Sequence, residues 1–182
     1  MLFHPGTHDM VAYDLVWGGK HHPSIPVYLG ANSGHGKKGH PDIEREQQNK
    51  AAFLLRHFFP DEVTEPLLVP PSIETRIVGD VLKVTVRFAA DSGEESGRIW
   101  WINNRGADGS PRYLKELIPD ENSREMVRDP DRGVWTAEIK PNPMATRIDL
   151  FSNHRKTIAH RDVNYSTYIS SPYTRVAIKK AK

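Results

Sequence analysis

The sequence has no cysteine. Disulfides, thiol nucleophiles and cysteine-ligated zinc are excluded together. Long apolar runs are missing too: none approaches the roughly 20 residues that a membrane-crossing helix needs, so no membrane partner is expected. Met1-Leu2-Phe3-His4-Pro5-Gly6 has no basic stretch leading into an apolar one, which is not how a secretion signal reads. The default compartment is therefore cytoplasmic, with a secreted parent protein as the alternative. An excess of one charge is lacking as well. Lys plus Arg number 25 and Asp plus Glu 23, a net of +2 with His neutral. That balance argues against a polyanion-coating surface, and no nucleic-acid partner is expected.

What is present suffices for a folded protein. The 182 residues are 37% apolar and 26% charged, enough to bury a core rather than stay disordered. Two regions differ in texture. Residues 1–60 carry seven of the nine histidines and a helical pattern; residues 72–182 carry strand patterns and turns. Between them, residues 61–71 are acidic and proline-rich, from Asp61-Glu62 through Pro66 to Pro70-Pro71, and read as a linker.

In the first region, Met1-Leu2-Phe3 reads as the tail of a buried strand running into the turn Pro5-Gly6. Chains seldom begin at the end of a strand, so the front of a larger domain is expected upstream. A short helix is predicted over Val11–Trp17. Ile25–Leu29 fits a second buried strand, ending at Gly30. A loop rich in Gly, Asn, Ser and Lys follows, then a helix from Ile43 to Phe59. Pro41 and Asp42 supply its start, Glu44 and Glu46 favour its first turn, and Pro60 stops it. Ile43, Ala51, Leu54, Leu55, Phe58 and Phe59 mostly share one face. Strand, helix, strand, loop, helix is the order of an α/β sheet.

The second region predicts strands at Ile73–Val78, Val81–Phe88, Arg98–Asn103, Arg112–Glu116, Val134–Ile139, Arg147–Asn153, Asn164–Ile169 and Thr174–Ile178. Leu82, Val84, Val86 and Phe88 alternate with Lys83, Thr85 and Arg87. Turn signals every 8 to 12 residues or so suggest a β-sandwich. Adjacent Trp100 and Trp101 must face opposite sides of their sheet. One belongs to the core; the other packs against the first region or stacks on a sugar. Arg98, Arg105, Arg112, Arg124, Arg128 and Arg132, interspersed with acids, read as a solvated surface.

Candidate chemistry sits in the first region. Gly6-Thr7-His8-Asp9 places a carboxylate just after a turn at a strand end. Twenty-six residues on, after the second strand, Ser33-Gly34-His35-Gly36 places a histidine in a glycine-flanked loop before a helix. An Asp and a His so placed can meet at the carboxyl edge of a parallel sheet. The carboxylate then fixes the imidazole tautomer and stabilises the imidazolium, and the other ring nitrogen acts on a nucleophile or a water. A second arrangement, a metal site built from His4, His8, His21 and His22 with Asp9, has the right ligand type but no recognised spacing.

The run from Gly6-Thr7-His8-Asp9 through Ser33-Gly34-His35-Gly36 to the helix ending at Phe59 resembles the last third of an α/β-hydrolase, in its dienelactone hydrolase, acetyl xylan esterase and prolyl oligopeptidase-like branches. The resemblance covers residues 1–60. It implies a fold class of an α/β remnant, the end of an α/β-hydrolase sheet with its last helix, followed by an immunoglobulin-like β-sandwich over 72–182. It implies Asp9 as the triad acid and His35 as the triad base, with no cofactor and no metal. The family's order is Ser, Asp, His, with the Ser in Gly-x-Ser-x-Gly. That pentapeptide occurs nowhere in the 182 residues. The implied function is a serine hydrolase fragment of the esterase or peptidase type, inactive alone, its ester or peptide substrate turned over only if a Ser is supplied. A truncated sheet would also favour self-association. The alternative is a non-catalytic β-sandwich module that binds a carbohydrate or a protein partner.

Overall fold

A computed structural model of the chain describes residues 2–8, 21–34, 42–106 and 117–178. Alternating sequence becomes strand where one face can be buried. Leu82, Val84 and Val86 of β2 (Val81–Arg87) are buried while Lys83 and Arg87 are exposed. β1 (Ser72–Val78) pairs with β2 through the two-residue turn Gly79-Asp80, where Gly79 has φ 61°, the conformation such a hairpin demands. The other strands are β3 (Ser96–Asn103), β4 (Ser123–Glu125), β5 (Val127–Asp129), β6 (Val134–Ile139), β7 (Arg147–His160), β8 (Val163–Ser170) and β9 (Thr174–Ala177).

They form two antiparallel sheets. One has the order β1-β2-β6-β5; the other runs β4-β3-β7-β8, with β9 also on β7. β8 and β9 share one edge of β7, β8 along Asn153–His160 and β9 along Arg147–Leu150. Ser171-Pro172-Tyr173 interrupts that edge, and Pro172 has no N–H for a ladder. The two sheets share an apolar core that includes Leu82, Val84, Ile99, Trp101, Trp135 and Leu150. This part is compatible with the β-sandwich expected for residues 72–182.

The α/β remnant is corrected. Of the described residues 43% lie in strands and 14% in helix; they hold one α-helix, α1 (Asp42–Phe58), and two antiparallel sheets, without alternating helices. Among the described residues, parallel pairing is confined to the bridges Phe3↔Val27 and Gly6↔Gly30. The reason is local. Phe3 N–H donates to Pro26 C=O and Tyr28 N–H to Phe3 C=O; two residues on, Gly30 N–H donates to Pro5 C=O. The rung between them would need the N–H that Pro5 lacks. A proline inside so short a ladder leaves two bridges where a strand pair was expected.

These segments lie on the sandwich. Leu29 and Ala31 pack with Ile118, Phe151 and Tyr173, and with Val27, Trp100 and Ile102 at the rim. β3 and β7 are thus covered on both faces: Ile99, Trp101, Ile148 and Leu150 face the sandwich core, Trp100 and Phe151 the first region. α1 lies along the β7–β8 hairpin, where Ala52, Val63 and Ile158 form a small cluster. Its Leu54 and Phe58 stay exposed. Within residues 61–71, Val63 is buried in that cluster and Leu68 in the sandwich core.

Candidate functional site

The two bridged segments end side by side at two turns, Gly6-Thr7-His8 and Gly30–Gly34. Thr7 N–H donates to Gly30 C=O at 2.9 Å and His8 N–H to Ser33 C=O at 2.9 Å. So close an approach needs glycine. A Cβ on Gly6 would overlap the Ser33 carbonyl, and one on Gly30 the Asp42 carboxylate. Asp42 opens α1 from below, fully buried; its Oδ1 accepts from the Tyr28 hydroxyl at 3.0 Å, with Arg45 at 3.4 Å. Burial first, and then the Asp42 charge, push the Tyr28 hydroxyl well above its ordinary value, so it stays a donor.

The sandwich reaches both turns. Arg105, just past β3 and 6% exposed, donates to Thr7 C=O at 2.7 Å and to the Tyr173 hydroxyl at 3.0 Å. Tyr173 donates to Asp149 Oδ2 at 2.9 Å, and Arg175 holds Asp149 from the other side with two contacts of 2.7 Å. Asn32 is bound through its amide: Ile118 N–H donates to Oδ1 at 2.7 Å, and Nδ2 donates to Ile118 C=O at 3.0 Å. Asn32 has φ 61°, a left-handed conformation that Asn tolerates better than most residues.

Asp9 and His35, the expected acid and base, lie outside the described residues, as do the predicted helix Val11–Trp17 and the strand Arg112–Glu116. His8 is buried, its Nδ1 2.8 Å from Thr7 Oγ1. His4 lies with Nε2 3.0 Å from Asn49 Nδ2, its ring tilted against Tyr28. His21 and His22 are exposed. Among the described residues no three His or acidic side chains are grouped to hold a metal, and no helix is long and apolar enough to cross a membrane.

Trp101 belongs to the sandwich core. Trp100 packs against the first region, with the Arg98 guanidinium 5.1 Å from its ring centre. Of the two roles open to the outward tryptophan, packing is the one found. The solvated reading of Arg105 is corrected: it is buried, with the Thr7 carbonyl and the Tyr173 hydroxyl accepting hydrogen bonds from its guanidinium. No compositional signal separates it from its neighbours. Asp149 did carry one, since an acid inside Ile148-Asp149-Leu150-Phe151 must find a cation or a donor once that strand is buried.

No protein-family model matches the chain, and no curated protein matches it.

Proposed function

We propose that residues 1–60 carry the acid–base half of a serine-hydrolase site of the esterase or peptidase type, resembling that of the α/β-hydrolases. Asp9 orients His35, and the nucleophilic Ser comes from outside this chain. The supporting observation is the hydrogen bond from His8 N–H to Ser33 C=O. Asp9 is bonded directly to His8, and His35 follows Ser33 by two residues. The described residues that precede the two expected groups in sequence are therefore neighbours. In the working site His35 takes the proton of the supplied Ser as its oxygen attacks the substrate carbonyl, then gives it to the departing alcohol or amine. Without that Ser the acid and base have nothing to activate, and most of the rate a triad provides is lost.

The test is turnover of p-nitrophenyl acetate by the whole chain and by His35→Ala. Both are expected to give equal, background rates. Turnover that disappears in His35→Ala would show a competent nucleophile within this chain and end the reading. A long-range 1H–15N spectrum should find the His35 proton on Nδ1 in the parent and displaced in Asp9→Asn.

A further inference from the structure

We propose that the β-sandwich is the positioning element for the acid–base turns, with Arg105 and the Asn32–Ile118 pair as its two grips. This rests on the reading of Asp9 and His35 given above. The parallel ladder stops at a definite rung. Its bonds advance evenly: Phe3 pairs with 26 and 28, Pro5 with 30, and Thr7 N–H with Gly30 C=O. The next bond would run from Asn32 N–H to Thr7 C=O. Neither group goes there. Asn32 N–H donates to the Thr7 hydroxyl oxygen at 2.8 Å, and Thr7 C=O accepts from Arg105 at 2.7 Å. A sandwich side chain holds the last carbonyl of the ladder, and the regular parallel pairing ends there.

Burying a guanidinium demands that its geometry be met. Arg105 is oriented by Tyr173, which is oriented by Asp149, which Arg175 fixes. The chain of contacts ends at the Thr7 carbonyl, two residues before Asp9. The other turn is held just as directly. The Asn32 amide exchanges two bonds with the backbone of Ile118, as a neighbouring strand would. Ile118 packs beside Leu29 and Ala31 in the apolar cluster under the same turn. The grips come from separate places, after β3 and before β4, and converge on two turns already joined at His8 and Ser33. The sandwich therefore holds the two described turns that precede Asp9 and His35 in sequence. Arg105 and Asn32 are positioning residues, acting through the turns rather than on a substrate.

The experiment uses the whole 15N-labelled chain and its Arg105→Gln, Arg105→Lys, Asn32→Gly and Asp9→Asn variants. Asn32→Gly removes one grip without leaving a buried charge, and it suits the left-handed backbone, so it should fold even if Arg105→Gln does not. Two readouts are taken: amide exchange of His8, whose partner is Ser33, and the proton position on the His35 ring. Arg105→Gln and Asn32→Gly are expected to speed His8 exchange by roughly tenfold or more and to move the His35 proton off Nδ1. Val84 and Ala137, in β2 and β6, should keep the parent protection. Arg105→Lys should recover part of the loss, because an ammonium can still reach the Thr7 carbonyl. Unchanged His8 exchange and an unchanged His35 ring in both variants would overturn the proposal. So would equal loss of protection at Val84 and Ala137, which would make the grips merely structural. If Asp9→Asn leaves the His35 ring unaltered, the acid–base reading fails separately, and His8 exchange still decides whether the sandwich holds the turns.

Discussion

The sandwich and the segment that precedes it are held by different forces. β1, β2 and β6 are joined by continuous ladders, and β3 and β7 pair along eight residues. Their side chains close an apolar core from both sheets. The described residues 2–8 and 21–34 have two isolated bridges and a few apolar side chains, and those pack on Phe151 and Tyr173 of the sandwich. Otherwise they are attached by directed polar contacts: Arg105 to Thr7, Asn32 to Ile118, and Asn153 Nδ2 to Leu29 C=O. Area-driven burial holds the sandwich whatever its exact register of polar groups. Geometry-driven contacts hold the first region, each of which fails if its partner moves.

The largest expected effect lies where the two meet. Asp149 is 1% exposed in β7, and it organises Tyr173, Arg175 and, through Tyr173, Arg105. Asp149→Ala leaves buried donors without their acceptor and should cost about 3 to 5 kcal/mol of unfolding free energy. Urea unfolding measures this directly. The comparison is sharpened by amide exchange at His8, which should rise even under conditions where β2 stays protected. A loss confined to the sandwich, with His8 unaffected, would mean that the first region holds itself.

The same division decides what could be read from sequence. Val81–Phe88 and Val134–Ile139 were legible because one face of each strand is buried and the residues alternate accordingly. β4 and β5 were not: each is three residues long, and Arg124, Glu125 and Arg128 face solvent. β7 runs seven residues past its predicted end at Asn153, through the exposed Arg155 to His160, because it pairs with β8 there and tertiary contacts bury Lys156. Lys156 Nζ donates to the carbonyls of Pro66 and Ser92 at 2.8 and 2.9 Å. In the candidate site, the glycines at the two turns were legible, and Gly6 and Gly30 are where the close approach excludes a Cβ. The extent of parallel sheet was overestimated, since Pro5 removes the donor on which the ladder depended. The grips were invisible, because Arg105 and Thr7 are 98 residues apart and no local pattern links them.

An intermediate effect should appear with acid, and it belongs to the sandwich alone. His154 is 1% exposed, with Ser152 Oγ 2.8 Å from Nε2 and the rings of Phe88 and Trp135 edge-on to it. Burial pushes its pKa down to about 4, against the opposing pull of the Glu94 charge. In the unfolded chain an imidazole titrates near 6.5 or so. As pH falls below that value the unfolded state binds the proton first. The stability present above pH 6.5 or so is therefore lost progressively down to about pH 4, by about 3 kcal/mol. Urea midpoints across this range should fall in the parent and fall less steeply in His154→Gln. Parallel slopes in the two proteins would remove His154 as the cause.

The smallest of these effects tests whether the first region also supports the sandwich. β8 is an edge strand, and three of its outward N–H groups belong to the alternate residues Ser166, Tyr168 and Ser170. Each meets an acceptor from the first region: Gln48 Oε1, Asn49 Oδ1 and Val27 C=O. Asn49 does most. Its Oδ1 accepts from Tyr168 N–H and the Thr167 hydroxyl, and its Nδ2 donates to Tyr168 C=O at 2.9 Å. One buried side-chain amide thus substitutes for a neighbouring strand. Asn49→Ala should cost about 1 to 3 kcal/mol, because the edge groups it leaves have little access to water. Exposure of that edge should also promote association between chains, which sedimentation velocity at rising concentration would detect. A variant that stays monomeric, with Tyr168 as protected as before, would show that the edge needs no cover. The dependence between the two regions would then run in one direction only, from sandwich to turns.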